Sequence, residues 1–167
     1  PAVQIVSATA ESTGLPDNSV DAITAAEAYH WFDNKEARTE FLRILKPGGC
    51  IFLLWNRFVR NPYHDEMHAI QQRHRTYPRP DQRTYANRAD DLFGPGKWEC
   101  FTFDNTLHQT FNQFYGGMSS ASYAPEEGTV AGKAFREDVQ ALFDKYAVHG
   151  RIVTHVETVV YAGKLNI

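Results

Sequence analysis

Nowhere does this sequence hold the ~18 consecutive apolar residues that a membrane helix needs, so no span of a bilayer is expected. Cysteine is scarce. Cys50 and Cys100 form neither a C-x-x-C pair nor a Cys/His ligand spacing, which argues against a metal module and a disulfide scaffold. Each lies in an apolar, strand-like run, and buried free thiols in a reducing cytoplasm are the expectation. Charge of one sign is lacking too: 17 basic and 20 acidic residues leave a net charge of -3. Without a basic field, neither nucleic acid nor an acidic membrane surface is an expected partner, and a small neutral or modestly charged substrate fits better. No internal repeat, heptad or low-complexity tract occurs. The G-x-G-x-x-G fingerprint of a nicotinamide-dependent dehydrogenase is absent as well, which argues against that oxidoreductase class. Pro1-Ala2-Val3-Gln4 has no charged n-region and no apolar h-region, and a first residue other than methionine points to processing, an engineered boundary or a further portion upstream.

What is present suffices for one domain with a core. Residues 3–6 are a short apolar run, read as a strand. Val20–Ala26 reads as a buried strand whose far end is small (Ala25, Ala26), where a ligand can approach the backbone. Asp33 is a candidate N-cap with Glu36 three positions on, a capping box, and the helix behind it buries Ala37, Phe41, Ile44 and Leu45 on one stripe. Lys46 suits the helix end, Pro47 stops it and Gly48-Gly49 turns the chain. Residues 50–55 are continuously apolar, as in a parallel strand covered on both faces. Together these make a right-handed βαβ unit. Beyond it, residues 57–98 loosen into polar, aromatic and Pro-rich sequence, read as a cap or insertion containing a helix over 64–76 with Met67 and Ile70 on its apolar side. A short helix at 89–93, a strand at 98–103, helices at 112–120 and 135–146 and a long β-branched strand at 151–164 complete the chain, which finishes on an antiparallel pair.

Four signals in residues 8–49 carry a resemblance. They are Thr9-Ala10-Glu11 after an apolar run, Leu15-Pro16-Asp17-Asn18-Ser19-Val20-Asp21 before a strand, Tyr29-His30-Trp31-Phe32-Asp33 after it, and Leu45-Lys46-Pro47-Gly48-Gly49 closing a helix. The combination resembles the type-11 branch of the Rossmann-like (class I) S-adenosylmethionine-dependent methyltransferases. It implies a single partial α/β domain over residues 1–167, with a sheet that is mostly parallel apart from an antiparallel terminal strand. The first two strands and the glycine-rich loop of the family would lie upstream of Pro1. S-adenosylmethionine is the cofactor the resemblance implies, bound in the crevice at the carboxyl ends of the strands.

Matching residue by residue, Thr9 takes the side-chain position against the adenine amine and Ala10 the backbone position. Thr9 replaces a commoner aspartate. Glu11 and Ala26 complete the cofactor candidates, although Glu11 can equally cap or pair within the protein. On the acceptor side stand Tyr29 and Trp31, and His30 is the candidate general base because a neutral imidazole accepts a proton near pH 7. His30 can also simply pack at the helix entrance, and Trp31 can be a core anchor. Asn56 offers an amide, and Arg57 a fork of donors to a substrate carboxylate. The 57–88 stretch holds Arg57, Arg60, Arg73, Arg75, Arg79, Arg83 and Arg88 against Asp65, Glu66 and Asp81, a locally basic surface without one helical phase. Tyr123 lies in Ser119-Ser120-Ala121-Ser122-Tyr123, which resembles a substrate-lid stretch of this branch. No metal is needed. The leading reading is methyl transfer to a small molecule, with a carboxylic acid as candidate acceptor. The competing one is a binding module, or a catalytically incompetent fragment, that keeps the fold. A homodimer or an amino-terminal segment of the same protein is the expected macromolecular partner.

Overall fold

Two compact units emerge from the computed structural model, which describes residues 3–59, 61–77 and 84–165: one built from residues 3–56, 84–103 and 158–165, the other from 57–59, 61–77 and 104–157. The elements in chain order are strand Val20–Ala26 (β1), a 3-10 turn at Tyr29–Trp31, helix Asn34–Ile44 (α1), strand Leu45–Phe58 (β2) and helices His64–His74 (α2) and Tyr85–Phe93 (α3). Strand Trp98–Gln109 (β3), helices Phe111–Ser119 (α4) and Val130–Tyr146 (α5) and strand Ile152–Gly163 (β4) follow.

The strand order is β1-β2-β4-β3. β1 and β2 are parallel, with Ala22 opposite Cys50 and Ala26 opposite Leu54. Between Val20 and Ala22 the partner moves from Leu45 to Cys50, so the expected Lys46-Pro47-Gly48-Gly49 turn is a bulge expelled from the ladder at the start of β2. β4 runs against β2: the Val59 amide donates to the His155 carbonyl, whereas the Thr158 hydroxyl bonds the Asn56 side chain, so partners advance in opposite directions. Tyr161 beside Trp98 and Thr154 bonded to Gln109 show the same for β3 and β4. The sheet is therefore mixed rather than mostly parallel, and the Rossmann-like part is the β1-α1-β2 unit.

In the first unit the core lies on one face of β2. Ile51, Leu53 and Trp55 are buried against Ala37 and Phe41 of α1 and Ala89, Leu92 and Phe93 of α3, while the alternate Cys50, Phe52 and Leu54 are only half-buried. The expected cover on both faces is thus present on one, because both helices of this unit pack on the same side. β1 stands at the end of the strand order, and only Ala25 of it is buried. Residues 3–6 form no strand among the described residues; Val3 is 89% and Ile5 91% exposed, with no ladder beside them. The thiols also depart from expectation: Cys50 is half-exposed, and Cys100, on the outer strand β3, is exposed.

The second unit is built on helix contacts. Met67 and Ile70 of α2 and Phe114, Tyr115 and Met118 of α4 pack against Phe135, Val139, Leu142 and Phe143 of α5. Helix starts follow polar caps. Thr110 and Gln113 make a capping box for α4, and the Thr129 hydroxyl accepts from the Gly132 amide, which begins α5 a turn earlier than its apolar stripe suggests. Thr84 likewise begins α3 at Tyr85.

One buried carboxylate ties the first unit together. Glu40 of α1 accepts from the Thr13 amide (2.8 Å) and hydroxyl (2.6 Å) and from Arg43 Nε (2.8 Å) and Nη2 (2.7 Å). Arg43 also donates to Asp17 at 2.6 Å. The Arg43 guanidinium first, then the Thr13 hydroxyl, hold the Glu40 carboxyl at about 2, below its ordinary 4.5. A depressed folded-state value contributes stability that is fully present above 4.5 and is lost as pH falls toward 2. Glu40→Gln should cost about 1.5–3 kcal/mol in chemical denaturation at pH 7, the worth of hydrogen bonds to a charged group. Its stability should also fall less steeply than the parent's between pH 4.5 and 2.

Candidate functional site

Parallel pairing brings the carboxyl ends of β1 and β2 side by side, and the chain leaves β1 there by a left-handed residue. Glu27 has φ 50°, donates its amide to the Leu54 carbonyl (2.9 Å) and accepts the Asn56 amide on Oε1 (2.6 Å). A non-glycine residue in that region is uncommon, and here two bonds to β2 hold it. Sequence reasoning passed over Glu27 because its carboxylate closes a backbone gap on another strand. The adjoining Ala26 is exposed and carries nothing beyond Cβ.

The Tyr29–Trp31 turn then divides its aromatic residues. Tyr29 is fully buried and meets Phe32 edge-on at 5.8 Å, so it lines the core rather than an open rim. Trp31 is 55% exposed and lies tilted against His30, ring centres 5.0 Å apart. His30 is half-buried, and its Nδ1 faces the indole N–H of Trp55 at 3.4 Å. Trp55 is itself stacked on Tyr85, 4.9 Å between centres and 7° between planes. Tyr85 was read as one of the tyrosines interleaved with the arginines of a polar stretch and not as a site residue; its signal was Thr84, the cap that makes it the first residue of a helix.

Thr9-Ala10-Glu11 are drawn to the same end. The Asp33 amide donates to Glu11 Oε1 at 2.8 Å, while the Asp33 carboxylate accepts from the Lys35 and Glu36 amides. Asp33 is thus the N-cap as expected, but Glu11 takes the place foreseen for Glu36, since it reaches the cap amide from outside the helix. That amide, followed by Glu11's own, lowers the Glu11 carboxyl below its ordinary value. Ala10 is half-buried against the core and Thr9 is exposed. The Ser12 amide bonds the Thr9 carbonyl at 3.3 Å.

The remaining candidates have partners of their own. Asn56 is exposed, and its Oδ1 accepts from Thr158 at 2.8 Å. Arg57 and Tyr123 belong to the second unit. Arg57 is ion-paired with Glu157, and the Tyr123 ring lies under the Arg75 guanidinium at 4.6 Å. Of the basic stretch, Arg73 pairs with Asp138 and Arg88 is buried, while Arg60, Arg79, Asp81 and Arg83 lie outside the described residues. No helix among the described residues is long and apolar enough to cross a membrane.

Comparison with known proteins adds to this geometry. Residues 1–53 match a family model described as a methyltransferase domain. Over 155 residues, 88% of this chain and 56% of the relative, the sequence is 38% identical to an uncharacterised methyltransferase-like protein of Schizosaccharomyces pombe. Over 48 residues, 29% of this chain and 20% of the relative, it is 52% identical to an uncharacterised methyltransferase of Mycobacterium tuberculosis. The chain thus spans 20% of one and 56% of the other curated relative. A solved structure from Anaeromyxobacter dehalogenans, provisionally assigned as a type II methyltransferase, superposes with a TM-score of 0.57 at 21% identity, covering 96% of this chain and 71% of that one. Another from Anabaena variabilis, also provisionally assigned as a methyltransferase, gives 0.52 at 18% identity over 92% and 70%. These structures share the fold.

The Glu11 brace is testable. Glu11→Ala should speed hydrogen exchange at the Asp33 amide about tenfold, the ratio that ~1.5 kcal/mol corresponds to, with little change in thermal midpoint. Unchanged protection of Asp33 would remove Glu11 as the brace.

Proposed function

From a chain that belongs to the class I S-adenosylmethionine-dependent methyltransferase family, we propose methyl transfer to a small-molecule acceptor, with the site at the carboxyl ends of β1 and β2. The observation that carries this reading is the Glu11–Asp33 bond, which draws Thr9 and Ala10 to the strand ends where His30 and Trp31 stand. Methyl transfer is a displacement that needs alignment and exclusion of water rather than a covalent protein nucleophile.

The residues present fit the adenosyl part of the cofactor. Thr9 offers a hydroxyl on an exposed residue, Ala10 its backbone, and Ala26 ends its strand with no side chain that would fill the space. Glu11, engaged by Asp33, serves as the brace that presents Thr9 and Ala10. When bound, the cofactor supplies an electrophilic methyl group on a sulfonium. Exposed Trp31 can favour such a cation by ~0.5–2 kcal/mol through its ring face. His30 is the catalytic candidate, and buried Tyr29 shapes the wall behind it. Asn56, and in the second unit Arg57 and Tyr123, are the substrate candidates.

For a carboxylic acid acceptor, Arg57 would exchange Glu157 for the substrate. Arg57→Ala is then expected to raise the acceptor KM several-fold with cofactor affinity unchanged, and equal effects on both would overturn that assignment. The second reading is a binding module, or a catalytically incompetent fragment, that keeps the fold without turnover. The half-exposed Cys50, Phe52 and Leu54 face supports a further layer, from another segment of the same polypeptide or a second copy. Calorimetry with S-adenosylhomocysteine on this chain and on a longer parent separates the readings. Binding with turnover is expected of the enzyme, binding without turnover of the module, and no binding by either polypeptide would sink the proposal.

A further inference from the structure

We propose that the paired outer faces of α2 and α5 form the contact through which two copies of this chain associate about a two-fold axis. The inference concerns the second unit alone and stands whatever reaction the first unit serves.

Both helices carry one pattern. In α2, Glu66 is followed by Ala69, Ile70 and then Arg73; in α5, Asp138 is followed by Ala141, Leu142 and then Lys145. Acid, alanine, apolar residue and base thus stand at i, i+3, i+4 and i+7, which is one face of a helix. The two faces meet head to tail. Lys145 Nζ reaches Glu66 Oε1 at 2.8 Å, and Arg73 Nη1 reaches Asp138 Oδ2 at 2.7 Å. The helices therefore run antiparallel, and the charges occupy the corners of a rectangle about 10 Å long, seven residues at ~1.5 Å each, with signs alternating around it. Between the corners, exposed Ala69 and Ala141 leave a groove of about 290 Å³ floored by buried Ile70 and Leu142.

An alternating rectangle is its own complement. Turned over about an axis in its plane, along or across the helices, it sets an acid of one copy against a base of the other at every corner. Two copies can therefore face each other by the isologous two-fold usual in dimers. A partner of uniform sign would be attracted at two corners and repelled at the other two, which argues against nucleic acid or an acidic peptide. The corners are held in place before docking. The Tyr146 hydroxyl also donates to Glu66 at 2.5 Å, and His74 Nε2 shares Asp138 at 2.8 Å, so these side chains lose little further freedom on association. At the centre, two alanines let the faces approach closely. With α2 ~16 Å long and two helices roughly 20 Å wide, each copy covers on the order of 300 Å². Contacts of that size are weak and exchange readily.

Sedimentation equilibrium of the full chain tests the contact. The parent should self-associate at low ionic strength and lose at least about tenfold in affinity as the Debye length contracts from ~30 Å at ~0.01 M salt to ~8 Å at ~0.15 M. A parent that stays monomeric up to about 1 mM at low salt would overturn the proposal. Glu66→Lys with Asp138→Lys makes every corner basic, and Arg73→Glu with Lys145→Glu makes every corner acidic. Each of these chains alone should be monomeric, and their equimolar mixture should associate. Self-association of either at the parent's affinity, or a mixture that stays monomeric, would overturn it. Exposed ion pairs add little to folding, so both variants should keep the parent's circular dichroism. Should either unfold, Ala69→Gln with Ala141→Gln decides, because it keeps both ion pairs and fills the groove with good helix formers. Association should then weaken several-fold, and unchanged association would count against the contact.

Discussion

The clamp of residues 11–19 along α1 is the constraint on which the first unit depends. Glu11 holds the Asp33 amide at the amino end, and Glu40 takes Thr13 midway. At the carboxyl end, the Asn18 and Ser19 amides bond the Arg43 and Ile44 carbonyls at 2.9 and 2.8 Å. These are groups a helix leaves open at its ends, and the segment satisfies them from outside. α1 spans about 16 Å at ~1.5 Å per residue, less than eight extended residues would cover, and left-handed Gly14 and Asn18 take up the slack. The start of β1 and the path of residues 11–19 follow from one rail.

Glu40 shows why the rail is specific. A buried carboxylate is expensive unless paired and hydrogen-bonded, and Glu40 has both kinds of partner. Removing one partner leaves the others facing an uncompensated charge. The same economy recurs on the surface of the second unit, where Lys145 and Tyr146 of α5 meet Glu66 of α2. Those groups are more exposed and their pairing contributes less.

What could be read in the sequence was what depends on neighbours in sequence. Asp33, the stripe through Ala37, Phe41 and Ile44, and the run from Cys50 to Trp55 state the β1-α1-β2 unit locally, and the structure forms it. Residues 3–6 looked like a strand by composition, but a strand needs a ladder partner, and composition does not reveal one. Cys100 looked buried for the same reason: apolar neighbours do not say whether a strand is central or outermost. The Tyr29–Trp31 turn follows the end of β1, as its place in the sequence suggested. The surroundings of Tyr29, Glu27 and Arg57 were illegible because they are set by partners outside their own segments, respectively Phe32 and the core, Asn56, and Glu157.

Strand register connects these levels. Alternation in β2 places Ile51, Leu53 and Trp55 on the face covered by α1 and α3 and sends Phe52, Leu54 and Asn56 to the other. A slip of one residue would exchange Trp55 for Asn56 at the position facing His30. The bulge at Lys46-Pro47-Gly48-Gly49 sets that register, since it absorbs the residues between Leu45 and Cys50 that β1 does not match. Its geometry leaves little latitude: a Cβ on Gly49 would stand 2.7 Å from Leu45 Cδ2 and 3.0 Å from the Asp21 carbonyl. The glycine that ends the helix-to-strand turn therefore governs, through the register of β2, which side chain addresses the imidazole at the far end of the strand.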